Sequence, residues 1–407
     1  MKILLILEVE RKDWYTYLRN DLENDYYLLW YESKSEVLRW VEEDTFFKEI
    51  YYWNNYSTSK ILLSKIKPDR IVFFEIIDQR QIALLVTANK FKIKTVYLAH
   101  GASSDVEGTL LRSEQKNYFL DTRVKYFNNR LKGPIINMFI SKLFYYSSCI
   151  HVNSLRSLLK YLRLPFFMLI NTPNKALRYN KFKERAPNKY IVFNNSNFES
   201  MATYNIITKD SAILTGIPFF DKYFTSSVST EKHIIFIDHP YLEYKLLDWT
   251  EAFHKKIATT LYNFSKKNNI KCFVRLHPSS DIRMWKSYGY ESSLFQFSQN
   301  DDFTEKILSS SLILSYSSTL LTGALCARKN IVLLGWHPKP SIFGIDFSRY
   351  NICHISFSTT DLEQKFGDWE QNNLSIRKEK DFRNFINELN FPFDGYAAKR
   401  VIEEIIN

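Results

Sequence analysis

Glycine and proline are scarce in this 407-residue chain, which contains 10 and 11 of them. With so few of these residues and abundant aromatic ones, little of the chain has the composition of a disordered protein. Cysteine is also rare, with isolated residues at 149, 272, 326 and 353. No Cys-x-x-Cys pair indicates a metal or redox site, so we predict buried free thiols in a reducing compartment.

Long hydrophobic runs are absent as well. The stretch "ILLILEV" after Met1-Lys2 soon meets the charges of Glu10, Arg11 and Lys12. It is too short for a signal peptide or a membrane span, and no later segment reaches the length of a transmembrane helix. We therefore interpret this stretch as the first strand of the fold and expect a cytoplasmic protein.

Positive charge is in excess, with a formal net charge of +11. This balance favours an acidic partner, either a polyanionic glycan or an anionic membrane surface, with an ordinary solvated basic surface as the alternative. Nucleic acid is not expected, because no long Lys/Arg run, zinc-finger spacing or RNA-binding aromatic signature is present. Residues 130–148, "RLKGPIINMFISKLFYYSS", have the pattern of a basic amphipathic helix. They are the candidate for peripheral contact with the inner face of the cytoplasmic membrane, with core packing as the alternative.

Short apolar runs of strand type alternate with helical patterns in the first half of the chain. These runs are "KILLILEV" (2–9), "RIVFFEI" (70–76), "KTVYLAH" (94–100), "SSCIHVN" (147–153) and "KYIVFNN" (189–195). The intervening stretch 78–92 places alanines and leucines at helical spacing, and Asp78 can cap its start. Continuous apolar strands separated by helices predict a parallel sheet covered on both faces.

The same alternation returns after the polar stretch "TSSVSTEK" (225–232), which indicates a linker. The second series comprises strands at 233–238, 271–276, 312–315 and 330–335, with helices near 249–267, 301–309 and 318–328. The predicted fold class is α/β, with two Rossmann-like doubly wound domains facing a central cleft, which is the GT-B architecture. We predict an N-terminal acceptor-side domain at 1–225, a nucleotide-sugar-binding domain at 232–385, and a closing segment with an amphipathic helix at 386–407.

Polar side chains follow two strands of the second series. "RLHPSS" places His277-Pro278 after one strand, and "LSYSSTLLTGAL" places Ser317, Ser318 and Thr319 between the other strand and a helix. Ligands bind outside the carboxyl ends of strands in open parallel sheets. Hydroxyls at a helix start and an imidazole at a strand end predict a phosphate site, with capping of an ordinary helix as the alternative. Arg275, on the same strand face as His277, can bind phosphate or pair with a carboxylate.

These motifs resemble the His-Pro and Ser-Ser motifs of bacterial GT-B sialyltransferases, including lipooligosaccharide sialyltransferases and capsule polysialyltransferases. "HIIFIDHPYLEY" (233–244) resembles the strand that opens their nucleotide domain, although those families often have Gln-Pro at 239–240. "DGYAAKRVIEEI" resembles the closing helix of surface-polysaccharide enzymes, including the UDP-N-acetylglucosamine 2-epimerases. The resemblance implies that an acid at the position of Glu305 holds the nucleotide ribose. The alternative is a solvated carboxylate in a first helical turn.

The first domain offers three candidates for the general base, all in "AHGASSDVEG" (99–108). The sialyltransferases resemble one another in an acidic-acidic-Gly motif, of which Glu107 before Gly108 fits the second half. Asp105 lies one residue before the position at which the first acid of this motif would stand. His100 instead resembles the His-Gly of teichoic-acid polymerases. Glu107 is the first choice, and Asp105 and His100 remain open.

The implied reaction is transfer of a sugar, in the first instance sialic acid from CMP-sialic acid, to a bacterial capsule or lipooligosaccharide acceptor. No Asp-x-Asp triad ends a strand, so we predict that neither a metal ion nor another cofactor is required. Basic residues after the 99–108 motif, Arg112, Lys116 and Arg123, are candidates to bind a polyanionic acceptor glycan.

Three alternatives remain open. The donor can instead be CMP-Kdo or CDP-glycerol. A 2-epimerase-like isomerase is a different class, disfavoured by the serine pair where such enzymes have Ser-Gly-Gly. A non-catalytic glycan-binding module is the last.

Overall fold

The computed structural model describes residues 1–9, 12–100, 135–171, 173–224, 231–245, 248–299, 301–316, 318, 320–335, 352–371, 379–389, 392 and 394–407. The described residues form two compact units. One contains residues 1–100, those described between 135 and 219, and the C-terminal 396–407; the other contains those between 220 and 395.

The first unit is built on a parallel sheet. Its strands are β1 (Lys2–Ile6), β2 (Asp25–Leu29), β3 (Phe47–Tyr51), β4 (Arg70–Phe73), β5 (Lys94–Leu98), β6 (Lys189–Val192) and β7 (Ala212–Leu214). Their spatial order is β3-β2-β1-β4-β5-β6-β7, and every neighbouring pair is parallel. The order reverses direction at β1, as in a doubly wound sheet.

Helices accompany these strands along the chain. They are α1 (Arg39–Glu42), α2 (Ser59–Ile66), α3 (Gln79–Lys90), α4 (Ile135–Ser147), α5 (Leu155–Ile170), α6 (Pro173–Tyr179) and α7 (Asn195–Tyr204). Helix α3 begins as predicted, because Asp78 accepts a hydrogen bond from the Arg80 N–H while the Gln81 side chain accepts one from the Asp78 N–H. This reciprocal arrangement is a capping box, which satisfies donors that the first helical turn leaves unpaired.

The strand predicted at 147–153 is wrong. Helix α4 runs to Ser147, and a short 3-10 helix continues it from Ser148 to His151. The hydroxyl of Ser148 donates to the Phe144 carbonyl, so the chain stays helical where its apolar residues resembled a strand. A short apolar run does not distinguish a strand from a buried helical segment by periodicity.

The second unit contains the second parallel sheet. Its strands are β8 (His233–Ile237), β9 (Lys271–Arg275), β10 (Phe295–Ser298), β11 (Leu312–Ser315), β12 (Ile331–Leu334) and β13 (His354–Ser356). Its helices are α8 (Glu251–Asn268), α9 (Ile282–Ser287), α10 (Thr304–Ser309), α11 (Leu320–Cys326), α12 (Thr359–Glu370) and α13 (Glu379–Leu389). The spatial order is β10-β9-β8-β11-β12-β13, and all neighbouring pairs are parallel.

The strand order 3-2-1-4-5-6 is that of a Rossmann-like sheet. The predicted α/β class with two doubly wound Rossmann-like domains is thus confirmed. The sequence pattern missed β2, β3, β7, β10 and β13, because these strands lack a long continuous aliphatic run. Four of them, β3, β7, β10 and β13, are edge strands.

The C-terminal helix α14 (Ala397–Ile406), predicted from its amphipathic pattern, belongs to the first unit. The Lys189 ammonium donates to the Glu404 carboxylate at 2.7 Å, and the Arg400 guanidinium donates to the Thr215 carbonyl at 2.8 Å. The chain therefore returns to its first sheet after completing the second.

Candidate functional site

The strand order of the second unit determines which strand ends lie together. Strand β8 pairs with β9 on one side and with β11 on the other. The sheet changes direction between β8 and β11, and in such sheets ligands bind at the carboxyl ends beside this switch point. The sequence pattern predicted His277 and the serine pair at the ends of two strands that are consecutive in the predicted series. In the structure β8 separates β9 from β11, which puts their ends about 10 Å apart.

His239, at the end of the intervening strand β8, stacks beside His277. The two imidazole centroids are 5.9 Å apart, with 18° between the ring planes. His239 also stacks on Tyr241, with ring centroids 4.4 Å apart. The buried Tyr241 ring in turn packs against Tyr316 at the end of β11. Imidazole and phenol rings therefore form a continuous row across the ends of β9, β8 and β11.

The turn after β9 fixes the orientation of His277. The backbone N–H of Ser279 donates to Nδ1 of His277 at 3.1 Å. Because Nδ1 accepts this bond, the neutral ring carries its proton on Nε2. His277 therefore presents an N–H donor, which suits an anionic oxygen such as that of a phosphate.

Gln299, which the sequence analysis did not single out, holds this turn. Its side-chain Nε2 donates to the carbonyl oxygens of His277, Pro278 and Ser280 at 3.1, 3.2 and 2.7 Å. The two N–H bonds of this amide are thus shared among three backbone acceptors, of which the His277 carbonyl also accepts a 2.9 Å bond from the Ser280 N–H. Pro278 is part of this clamped turn. No local motif marks Gln299, because it belongs to the loop after β10.

A buried carboxyl connects the two segments that carry the imidazoles. Asp238 directly precedes His239 and is 4% exposed. Its Oδ2 accepts a 2.9 Å hydrogen bond from the hydroxyl of Ser280. Burial raises the pKa of Asp238 to about 7; the Glu243 carboxylate contributes to the rise, and the Ser280 hydrogen bond opposes it. Glu243 in turn accepts a 2.7 Å bond from the Asp281 N–H.

Arg275, a predicted phosphate ligand, lies against the loop that leads to α10. Its guanidinium carbon is 5.6 Å from the ring centroid of Phe303. Burial lowers the pKa of Arg275, while Asp301 and Asp302 oppose that shift. Its Nη1 is buried and has no hydrogen-bond partner among the residues that the structure describes. The two roles left open by the sequence, phosphate binding and pairing with a carboxylate, both stay predictions.

The remaining predicted phosphate ligands lie around helices α10 and α11. Of the serine pair and its neighbour, Ser317 and Thr319 lie outside the described residues. Ser318 Oγ accepts a 3.3 Å bond from the Leu320 N–H at the start of α11. This bond is the capping interaction that the sequence analysis weighed as an alternative. Glu305 is exposed in the first turn of α10.

A second group of polar side chains lies at the strand ends of the first unit. His100 follows β5, and Glu75 follows the neighbouring β4. Nε2 of His100 is 3.5 Å from Oε1 of Glu75, and the His100 ring stacks on Trp14 with centroids 3.8 Å apart. A histidine oriented by a carboxylate is the usual arrangement of a general base. The sequence contained Glu75 within the apolar run 70–76 but gave no signal that would pair it with His100.

The other candidates from the first domain are not described. Asp105 and Glu107 lie outside the described residues, as do the predicted acceptor ligands Arg112, Lys116 and Arg123. Within the described ranges, no group of three or more His, Cys, Asp or Glu side chains could hold a metal ion. Among the helices described, none is long and apolar enough to cross a membrane.

Comparisons with known proteins identify the fold. No family model matches the sequence, and no curated protein matches it. Among solved structures, UDP-GlcNAc 2-epimerase from Neisseria meningitidis bound to UDP-GlcNAc is similar over 100% of both chains, with 13% identity and a TM-score of 0.51. UDP-GlcNAc 2-epimerase from Methanocaldococcus jannaschii is similar over 99% of this chain and 98% of its own, with 10% identity and a TM-score of 0.52.

The wall teichoic acid polymerase TagF, in a structure soaked with CDPG, matches 99% of this chain and 87% of its own. The sequence identity is 9% and the TM-score is 0.54. At such low identity the likeness concerns the fold alone, which is the GT-B-like pair of Rossmann-like units.

Proposed function

We propose that this protein is a transferase that takes a sugar from a cytidine-nucleotide donor, with CMP-sialic acid as the first candidate. The observation that carries the proposal is the stacked pair His239 and His277 at the ends of adjacent strands beside the topological switch point. This is where doubly wound sheets bind nucleotide phosphates, and imidazole N–H groups suit an anionic leaving group. The "RLHPSS" motif, with its resemblance to sialyltransferases, supports cytidine as the base.

The proposed reaction is direct displacement at the anomeric carbon of the donor. The acceptor hydroxyl oxygen forms a bond to this carbon while the bond from carbon to the CMP phosphate oxygen breaks, and CMP leaves with the electron pair. His277 donates from Nε2 to the departing phosphate, and His239 adds a second imidazole beside it. The hydroxyl proton passes to a general base. Of the three candidates, His100 has support from the structure, through its contact with Glu75.

The comparisons support a nucleotide-linked donor in general. Epimerases of the same fold are named for UDP-GlcNAc, and the N. meningitidis structure contains it. An enzyme of this kind would act on capsule or lipooligosaccharide glycans as acceptors. The net charge of +11 supports a polyanionic acceptor.

A CDP-linked donor is the second candidate, and the His100–Glu75 pair favours it. The His-Gly at 100–101 resembles that of teichoic-acid polymerases, and TagF, which shares the fold, was soaked with CDPG. In this case the acceptor oxygen attacks the distal phosphorus, and CMP again leaves. The phosphate-binding role of His239 and His277 is the same in both cases.

Thermal-shift titration of the full chain with CMP, CDP, UDP and GDP tests the proposal. A ligand that binds only the folded state raises the unfolding temperature by mass action. We expect the shifts with CMP and CDP to exceed those with UDP and GDP. A uridine-selective shift would instead support a 2-epimerase-like isomerase, and no shift with any nucleotide would support a non-catalytic module.

Activity assays then separate the donors. Incubation with CMP-sialic acid, CMP-Kdo or CDP-glycerol and a glycan acceptor should release CMP from one of them. The assay is repeated with EDTA, and we expect unchanged turnover if the predicted metal independence holds. Acceptor KM should rise with salt while donor KM changes little, because screening acts on an extended basic surface.

A further inference from the structure

One face of helix α5 (Leu155–Ile170) packs against the rest of the first unit. Ser157, Tyr161 and Leu164 on this face are buried. The Tyr161 ring stacks in parallel on Tyr145 of α4, with centroids 4.2 Å apart. The hydroxyl of each tyrosine donates to the backbone carbonyl of the other at 2.6 and 2.7 Å. These reciprocal bonds fix the rotation of α5 about its axis, and so determine which side chains face outward.

The outward face of α5 is also apolar. It carries five large side chains separated by four, three, four and four positions, which places them in one row along a helix. They are Leu155, Leu159, Leu162, Phe166 and Ile170, which are 73, 59, 41, 62 and 58% exposed, respectively. We call this row the apolar stripe. Single exposed apolar residues are normal on soluble proteins, but a contiguous row of five indicates a surface that binds something.

Basic side chains border the apolar stripe along one side. Arg156, Lys160 and Arg163 lie on α5 itself, and Lys160 donates to the Lys181 carbonyl at 2.7 Å. Burial lowers the pKa of Lys160, and the charges of Arg156 and Arg163 lower it further. Among the described residues, no carboxylate forms an ion pair with Arg156, Arg163 or the nearby Arg178. Within the part of the chain that the structure describes, the positive charge beside the stripe is therefore not neutralised by ion pairs.

We propose that the apolar stripe and its basic border form a docking surface for an anionic lipid bilayer. The helix would lie in the plane of the membrane, with the stripe among the acyl chains and the basic side chains at the headgroups. At about 1.5 Å per residue the stripe is roughly 24 Å long, so it suits a flat surface better than a small pocket. A second copy of the chain is a poorer occupant, because two such borders would bring like charges together.

This surface differs from the segment in which the sequence analysis sought membrane contact. Within residues 130–148, helix α4 buries Phe144 and Tyr145 in the core. The aromatic residues that made this segment look membrane-active therefore contribute in part to packing. Leu143 and Tyr146 of α4 are exposed, at 59 and 40%, but the longer apolar row among the described helices lies on α5.

Vesicle co-sedimentation with the full chain tests the proposal. The probes are vesicles of phosphatidylcholine alone and of phosphatidylcholine mixed with phosphatidylglycerol. We expect binding to the mixed vesicles only. Leu159→Ser with Phe166→Ser should lower the partition coefficient by about ten-fold or more, because two large apolar side chains no longer enter the bilayer. Leu22→Ser is the matched control, since Leu22 is 92% exposed elsewhere in the same unit.

Charge variants provide a second, independent arm. Arg156→Gln with Arg178→Gln should weaken binding to the mixed vesicles several-fold, and added salt should have the same effect on the unchanged chain. Lys65→Gln with Lys209→Gln removes two exposed charges away from α5 and should leave binding unchanged. Circular dichroism and thermal unfolding establish that the variants fold. The substituted side chains are exposed, so the unfolding temperature should hardly move.

Three results would overturn the proposal. The first is that the unchanged chain does not bind the mixed vesicles. The second is that the stripe variant, Leu159→Ser with Phe166→Ser, binds them as well as the Leu22→Ser control does. The third is a concentration-dependent dimer in sedimentation equilibrium that the stripe variant abolishes, without vesicle binding. In that case the occupant is a second copy of the chain.

Discussion

The hydroxyl of Ser280 donates a 2.9 Å hydrogen bond to the carboxylate of Asp238. The bond connects the turn that carries His277 to the end of the strand that leads into His239. Both residues are buried, so the interaction is shielded from water. This polar contact therefore connects the two adjacent strand ends that carry the imidazoles of the candidate site.

The raised pKa of Asp238 predicts a dependence of stability on pH. The folded carboxyl titrates at about 7, above the ordinary value of 3.8 that applies to the unfolded chain. Between these pH values the folded state binds the Asp238 proton more tightly than the unfolded state does. The contribution of this protonation to the free energy of unfolding is therefore complete below about pH 4 and is lost as pH rises toward 7. The loss is roughly 1.4 kcal/mol per pH unit at its steepest.

This dependence is measured as the unfolding temperature from pH 4 to 8 for the unchanged chain and for Asp238→Asn. The unchanged chain should lose stability relative to the variant as pH rises through this range, and the difference should level off above about pH 7. Glu363→Gln, at an exposed carboxylate of the same unit, is the control. Parallel curves for the unchanged chain and Asp238→Asn would contradict the prediction.

His277 should matter for turnover far more than for stability. Because it donates to the leaving phosphate in the proposed reaction, His277→Ala should lower kcat by about a hundred-fold with donor saturating. His354→Ala is a suitable control, since His354 begins β13 at the opposite edge of the sheet. Near-full turnover by His277→Ala would remove this residue from the mechanism.

The general base can be identified by comparing four variants. If His100 is the base, His100→Ala should lower kcat by about a hundred-fold or more, and Glu75→Gln should have a smaller effect of about ten-fold because the ring loses its charged partner. Asp105→Asn and Glu107→Gln should then retain most activity. The opposite pattern, with loss only in Glu107→Gln, would return the role to the residue that the sequence favoured.

Gln299 should act by positioning the turn that carries His277. Gln299→Leu removes a donor shared by three carbonyls, of which only that of His277 keeps the Ser280 N–H, and this should cost roughly 1–3 kcal/mol of stability. We also expect kcat to fall more than donor KM rises, because the imidazole loses its orientation. Gln296→Leu is the matched control, since Gln296 is exposed on β10, the strand just before Gln299, and makes one 3.4 Å bond to the Ser293 carbonyl. Equal stability and equal kinetic constants of the two variants would show that the Gln299 side chain does not position the turn.

The sequence determined the class of the fold and several of its local features. Continuous apolar runs such as 233–238 predict strands that are buried on both faces, and the spacing between runs predicts the helices. Asp78 at the start of α3 was recognisable because capping depends on neighbours in sequence. The position of His277 just after a strand was also evident, since a strand end is a local property.

Tertiary structure decided which of these residues meet. Strand order depends on long-range packing, and only that order places β8, and hence His239, between β9 and β11. His100 contacts Glu75 because β5 pairs with β4, and Gln299 reaches the 277–280 turn because β10 pairs with β9. Helix α5 is apolar on two faces, so its sequence alone could not tell which face is buried. The Tyr145–Tyr161 contact decides this, because it joins residues whose proximity depends on how two helices pack.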